Sequence, residues 1–412
     1  MVVLATCSGP TDPDPDPITE LPRPLTAAEQ AVISASNTFG LDLIGRVAAA
    51  DDRPNVVLSP LSASMALGMA LNGAGGTTFD SMRHALGFDG LSQEEINDSY
   101  RELLDLLTGL DAAVRFEIAN AIWAREGVPF HQAFFDAVTA AFDATAESRD
   151  FADPETVEAL TAWVHARTGG LIDSIVEEID PALVMLLVNA IYFDGEWTHR
   201  FDPADTHAQP FTLEDGSSVQ APMMTMDAVE VNRGYGADYA AVELPYGGGA
   251  FSMVIVLPRG QTSAREWLTA LDAEAWAALV GGLAPGKLDL LAVPKYTLSF
   301  DAFLNDGLRA MGMDVAFTDA ADFTRLSPIG DGMCIDFVRQ KTFIEVDERG
   351  TRAAAVTAVG VGLVSFSAFV ADRPFVLAIR ERLSGTVLFM GLVTDPTAEV
   401  GSPAPPPSRD DC

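Results

Sequence analysis

The sequence predicts one large domain organised around a β-sheet that has to admit a further strand, and two observations carry that prediction. First, the chain has 412 residues with 48% hydrophobic and 20% charged content, enough to bury a large core without disulfides. Length alone would suggest two or three domains, but no interior stretch is rich enough in Pro, Gly or Ser to act as a linker. No internal repeat is visible. Second, the run from Ile344 to Gly362 reads as a strand, a hinge and another strand. Ile344, Glu345, Val346 and Asp347 alternate apolar with acidic, as a half-buried strand does. Gly350 then permits a bend. From Thr351 onward every second residue is small or β-branched and uncharged, through Ala353, Ala355, Thr357, Val359 and Val361, while Arg352 falls on the opposite face. A segment with that face and no proline suits the middle of a sheet. On propensity alone, Thr351 to Ala358 could equally form a helix.

Taken in order, the start Met1-Val2-Val3-Leu4-Ala5-Thr6-Cys7 reads as the end of a bacterial lipoprotein signal, with Cys7 as the lipidated residue; a disordered apolar start is the plain alternative. Residues 8 to 25, with their Asp-Pro repeat, and 398 to 412 are Pro-rich and polar, which suits a spacer and a tail. The longest apolar run, Pro181 to Phe193, is too short to span a membrane and contains Asn189, so a helix end leading into a core strand is expected there. Gly247-Gly248-Gly249 reads as a turn before an apolar strand rather than a phosphate cradle. Cys7, Cys334 and Cys412 are too few and too scattered for a disulfide framework.

A net charge of −34 argues against nucleic acid and anionic membrane as partners, since like charges repel. Lys287, Lys295 and Lys341 are the only lysines, in keeping with a GC-rich or salt-adapted source or simply a solvated acidic surface. None of His84, His131, His165, His199 and His207 sits in a metal-ligand spacing, and no Gly-x-Ser-x-Gly elbow or phosphate-binding glycine loop occurs. The chain is therefore expected to be no enzyme, with no cofactor and no metal. Trp163 and Trp197 are expected in the core.

Glu348-Arg349-Gly350-Thr351-Arg352-Ala353-Ala354-Ala355-Val356-Thr357 resembles the mobile hinge of the reactive-centre loop of inhibitory serpins. Asp372-Arg373-Pro374-Phe375 and Gly385 to Gly391 resemble that family's C-terminal strands. The likeness recurs in family order at Asn55 to Ser62, Asn72 to Thr78, Trp163 to Gly170, Leu187 to Trp197, Glu243 to Tyr246, Pro294-Lys295 and Met311 to Met313. The resemblance implies an α+β serpin fold, three β-sheets surrounded by eight or nine helices, over residues 26–397, with an exposed loop at about 348–371. It also implies a bacterial, secreted or surface-lipidated, monomeric inhibitor whose partner is a serine protease.

In that mechanism the protease's serine attacks the loop and forms an acyl-enzyme. The freed loop then enters the sheet as a new strand before water can hydrolyse the ester. The family's register puts the reactive bond at Val364–Ser365, with Leu363–Val364 and Ser365–Phe366 as neighbours left open by a short return segment. A medium β-branched residue there favours elastase-like or subtilisin-like targets, with chymotrypsin-like ones still open. Glu348, Gly350, Thr351, Ala353, Ala354, Ala355 and Thr357 would be the hinge. Ser59, Ser62 and Asn189 match the polar cluster that clasps the central strands, with Gln340 in place of the usual histidine, and Lys295 matches the lysine that pairs with the acid at the loop base, Glu348. Acidic residues dominate Leu91 to Leu110, so no heparin site is expected. A cross-class inhibitor of papain-like cysteine proteases and a non-inhibitory surface protein remain alternatives, although the latter usually carries bulky or charged residues in its hinge.

Overall fold

A computed structural model of the chain describes residues 17–167, 169–170, 178–349 and 367–398. The first half contains α1 (Ala27–Ala50), β1 (Asn55–Leu58), α2 (Pro60–Gly73), α3 (Gly76–Ala85), α4 (Gln93–Thr108), β2 (Val114–Arg125), α5 (Gln132–Phe142), β3 (Thr145–Arg149), α6 (Pro154–Arg167) and β4 (Met185–Gly195). After it come β5 (His207–Thr212), β6 (Ser218–Tyr235), β7 (Tyr239–Tyr246), β8 (Phe251–Pro258), α7 (Ala264–Thr269), α8 (Ala273–Gly281), β9 (Ala284–Pro294), β10 (Tyr296–Phe303) and α9 (Asn305–Leu308). The chain closes with β11 (Arg339–Val346), β12 (Ala368–Val370), β13 (Phe375–Glu381) and β14 (Val387–Val393). Nine α-helices and three sheets among the described residues agree with the expected α+β class.

The largest sheet has nine strands, in the order β1-β14-β13-β8-β7-β6-β9-β12 with β5 paired to β6. Every residue of β8, β13 and β14 is buried, which is why these strands are mostly apolar; among the polar exceptions, Ser252 and Arg380 both bond to buried Glu243. The other two sheets are β3-β2-β4 and β10-β11.

Helix starts follow capping chemistry. Thr26 with Glu29, Ser92 with Glu95 and Ser263 with Glu266 all form reciprocal capping boxes. α1 passes close over the start of α2: a Cβ on Gly40 would lie 2.2 Å from Pro60 Cβ, so no other residue fits without moving a helix.

Ile18 and Leu25, from the stretch read as a spacer, pack against the main core, and Arg23 bonds to Glu29 and Glu102. One expectation is corrected. Pro181 and Ala182 form a turn ahead of β4, not the end of a helix, because β4 itself takes up the apolar run from Met185. Cys334 is disulfide-bonded, a bridge the sequence reading did not expect or exclude. The Gly247 to Gly249 turn between β7 and β8 is present.

Candidate functional site: a divided sheet and its clasp

β4 pairs with β2 along its length, and β11 pairs with β10. Among the described residues neither strand has a ladder partner on its other side. The starts of the two strands, with the segment leading into β11, line one cavity of about 420 Å³; their ends line a second of about 360 Å³. Start thus faces start and end faces end, so the strands run in the same direction along a common gap. Two facing edges of unpaired N–H and C=O groups are a template for another strand.

The first turn of α2 clasps the middle of this gap. β1 delivers Ser59 to the N-cap, where its hydroxyl accepts from the Ser62 N–H at 3.3 Å and donates to the Leu388 carbonyl at 2.7 Å; Pro60 occupies the first helical position. Gln340 on β11 uses both ends of its amide on Ser59: Oε1 accepts from the Ser59 N–H at 2.8 Å, and Nε2 donates to the Ser59 carbonyl at 3.0 Å. From the same helix turn, the Ser62 hydroxyl donates to Asn189 Oδ1 on β4. Asn189 Nδ2 in turn donates to Asn120 Oδ1 on β2 at 2.6 Å, and Asn120 Nδ2 to the Phe142 carbonyl at 2.6 Å. One hydrogen-bonded chain therefore ties β11 to β4 through α2. Ser59 and Asn120 are 2% exposed and Gln340 is 7% exposed, so a lost partner here would leave a polar group without water.

Because Gln340, Ser59, Ser62, Asn189 and Asn120 are all amides or hydroxyls, no member of this chain titrates between about pH 5 and 8. Gln340→His should introduce that dependence. A histidine accepting the Ser59 N–H must be neutral, so burial lowers its folded pKa and stability falls as pH drops through the ordinary value near 6.5. Thermal unfolding at pH 8 and pH 5.5 checks this: the variant should lose about 1 kcal/mol more than the parent at the lower pH, and equal losses would remove Gln340 from the clasp.

At the upper end of the gap Trp197 Nε1 donates to the Asp347 carbonyl at 3.0 Å, and the indole stacks on Tyr246 with centroids 4.2 Å apart. Lys295, just after β9, bonds Glu348 at 2.8 Å. Partial burial pushes the Glu348 carboxyl up, but the bonds it accepts, that from Lys295 first, and the Lys295 charge together outweigh this and hold the group below the usual carboxylate range. The bond to Glu348 raises the Lys295 ammonium in turn. On the face covered by α6, a second core joins Trp123, Leu160, Val164, Leu186 and Val188 to Phe337 and Phe343, so apolar packing also crosses the gap.

The expected residues Ser59, Ser62, Asn189 and Gln340 are thus brought together, as are Lys295 and Glu348. Gly350, Thr351, Ala353, Ala354, Ala355, Thr357, Val364, Ser365 and Cys7 lie outside the described residues. Sequence reasoning missed Asn120, whose signal was a lone polar residue in the apolar run Ile118 to Trp123. It placed Trp197 in the core but not its bond to Asp347. Among the described residues no group of His, Cys, Asp and Glu could hold a metal ion, and no helix is long and apolar enough to cross a membrane.

Comparison with known proteins agrees with this architecture. The family described as Serpin (serine protease inhibitor) matches residues 34–396. Human neuroserpin is 30% identical over 384 residues, covering 90% of this chain and 92% of that one. The native-state structure of Tengpin, a thermophilic serpin, superposes with a TM-score of 0.78 at 30% identity, covering 93% of this chain and 97% of that one. A thyroxine-binding globulin complexed with thyroxine gives 0.79 at 26% identity, covering 89% of this chain and 99% of that one. The chain belongs to the serpin family.

Proposed function

We propose that this serpin is a suicide-substrate inhibitor of a serine protease, acting through a loop at about residues 348–371. The observation that carries the reading is the gap between β4 and β11, two edges without an outer partner among the described residues, joined at mid-length by a buried clasp. A strand that continues from β11 after reversing at Gly350 would run antiparallel to both edges and could bond to each. The protease's serine oxygen attacks the Val364 carbonyl, the Val364–Ser365 bond breaks with its nitrogen taking a proton, and an ester to Val364 remains. Insertion of Thr351 to Val364, roughly 45 Å of strand at about 3.3 Å per residue, then carries the ester-linked protease away and distorts its oxyanion hole.

The favoured target is elastase-like or subtilisin-like, because Val364 suits a shallow apolar pocket. The acidic α4, with Glu94, Glu95, Asp98, Glu102 and Asp105, argues against activation by a polyanion, and the protein is read as a monomer. The likeness of Met1 to Cys7 to a lipoprotein signal supports reading it as secreted or surface-bound. Mixing the protein with a panel of serine and papain-like cysteine proteases tests the reading. An SDS-resistant complex with a serine protease is the expected result, one with only a cysteine protease would change the target class, and none would overturn the inhibitory reading.

Val364→Arg should shift the target by at least about tenfold from elastase-like toward trypsin-like enzymes, whose buried carboxylate rewards a guanidinium. Mass analysis of the released peptide locates the bond. A new N-terminus away from Ser365, or from either neighbour, would overturn the register and the specificity argument.

A further inference from the structure

Ser367, where the described chain resumes two residues beyond the proposed P1′ residue Ser365, is held from three directions. Its N–H donates to Asp289 Oδ2 at 2.7 Å, its carbonyl accepts from the Asp289 N–H at 2.7 Å, and its hydroxyl accepts from Arg233 Nη1 at 2.6 Å. Asp289 lies on β9 and Arg233 near the end of β6, so two strands converge on one residue. Room for the guanidinium comes from Gly286: a Cβ there would lie 2.3 Å from Arg233 Nε.

The strand that follows is a weak tether by itself. β12 has three residues, runs parallel to β9 and is the last strand of its sheet, so it has one ladder partner. The side-chain bonds at Ser367 therefore form a substantial part of what fixes this end of the segment. Two of them are charge-assisted, which makes them stronger than neutral hydrogen bonds.

We propose that Asp289 and Arg233 are positioning residues that anchor the downstream end of the reactive loop at Ser367, and this rests on the inhibitory reading above. The anchor lies close to the reactive bond, since two residues, Ser365 and Phe366, separate that bond from Ser367 in the sequence. A target must then seat its primed subsites on those two residues. The same anchor resists uptake of the uncleaved loop, since the chain beyond Val364 cannot follow a strand into the gap while Ser367 is bound.

Asp289→Ala, Asp289→Asn and Arg233→Met in the full chain test this. Asparagine keeps a side-chain oxygen that can accept the Ser367 N–H and serves as the conservative rescue. Hydrogen exchange of a peptide covering Ser367 to Ala371 reads the anchor without reference to inhibition, and inhibitory activity remaining after timed incubation without protease reads its consequence. Asp289→Ala should exchange at least about tenfold faster there and lose activity several-fold faster, with exchange in β8 and β13 unchanged; Asp289→Asn should lie near the parent and Arg233→Met between. Parent-like exchange and parent-like activity half-life in Asp289→Ala would overturn the proposal, as would faster exchange throughout the core. If the parent itself traps no protease, the inhibitory reading fails separately, and the exchange of Ser367 to Ala371 alone decides whether the anchor exists.

Discussion

Replacing Thr351 by Arg should turn the protein from an inhibitor into a substrate. Thr351 opens the alternating face that would point inward when the loop becomes a strand, and that face is otherwise Ala353, Ala355, Thr357, Val359 and Val361. A guanidinium there would be buried without a partner during insertion, at a cost of several kcal/mol. The competing reaction, hydrolysis of the acyl-enzyme by water, is untouched. Each 1.4 kcal/mol is about a factor of ten, so the trapped fraction should fall by about a hundredfold or more if the penalty falls on the insertion step. Incubation with a cognate protease, followed by denaturing electrophoresis, should give cleaved protein and no stable complex. A variant that traps as well as the parent would mean that the inward face has been assigned to the wrong set of residues.

Cleavage of the loop should raise the melting temperature by tens of degrees. An inserted strand between β4 and β11 gains a ladder on both sides, on the order of 10 to 20 kcal/mol if each bond nets about 1 kcal/mol. That is comparable with an entire folding stability of about 5 to 15 kcal/mol. Nothing needs to be added from outside, because the freed strand stays covalently attached to β11 through Glu348 and Gly350. The cleaved chain should therefore outlast the intact one in a thermal ramp, and an unchanged midpoint after complete cleavage would sink the inhibitory reading.

Much of the site could be read directly along the chain. Ser59, Ser62, Asn189 and Gln340 were identified as a clasp from motif resemblance, and they do share one hydrogen-bonded chain. Lys295 and Glu348 were paired for the same reason and lie 2.8 Å apart. What escaped were contacts whose residues carry no local mark. Asn120 and Asn189 face each other because β2 and β4 pair in one particular register. Trp197 meets Asp347 across a gap that no single segment encodes. Arg233, Asp289 and Ser367 are polar residues of an ordinary kind until β6, β9 and the chain ahead of β12 converge.

By itself the sequence determined the class of fold and the groups that clasp the gap through motifs that resemble a known family, and the long alternating segment after β11 through its own periodicity. Motifs and periodicity are both local. Only the tertiary structure decided that β4 and β11 stand side by side as edges without an outer partner among the described residues, that Asn120 extends the clasp, and that Asp289 and Arg233 hold Ser367. The physical reason is that a strand's free edge is a relation between two ladders. Its existence turns on which partners are bonded on each side, and here those partners, β2 and β10, are supplied by segments about 180 residues apart in the chain.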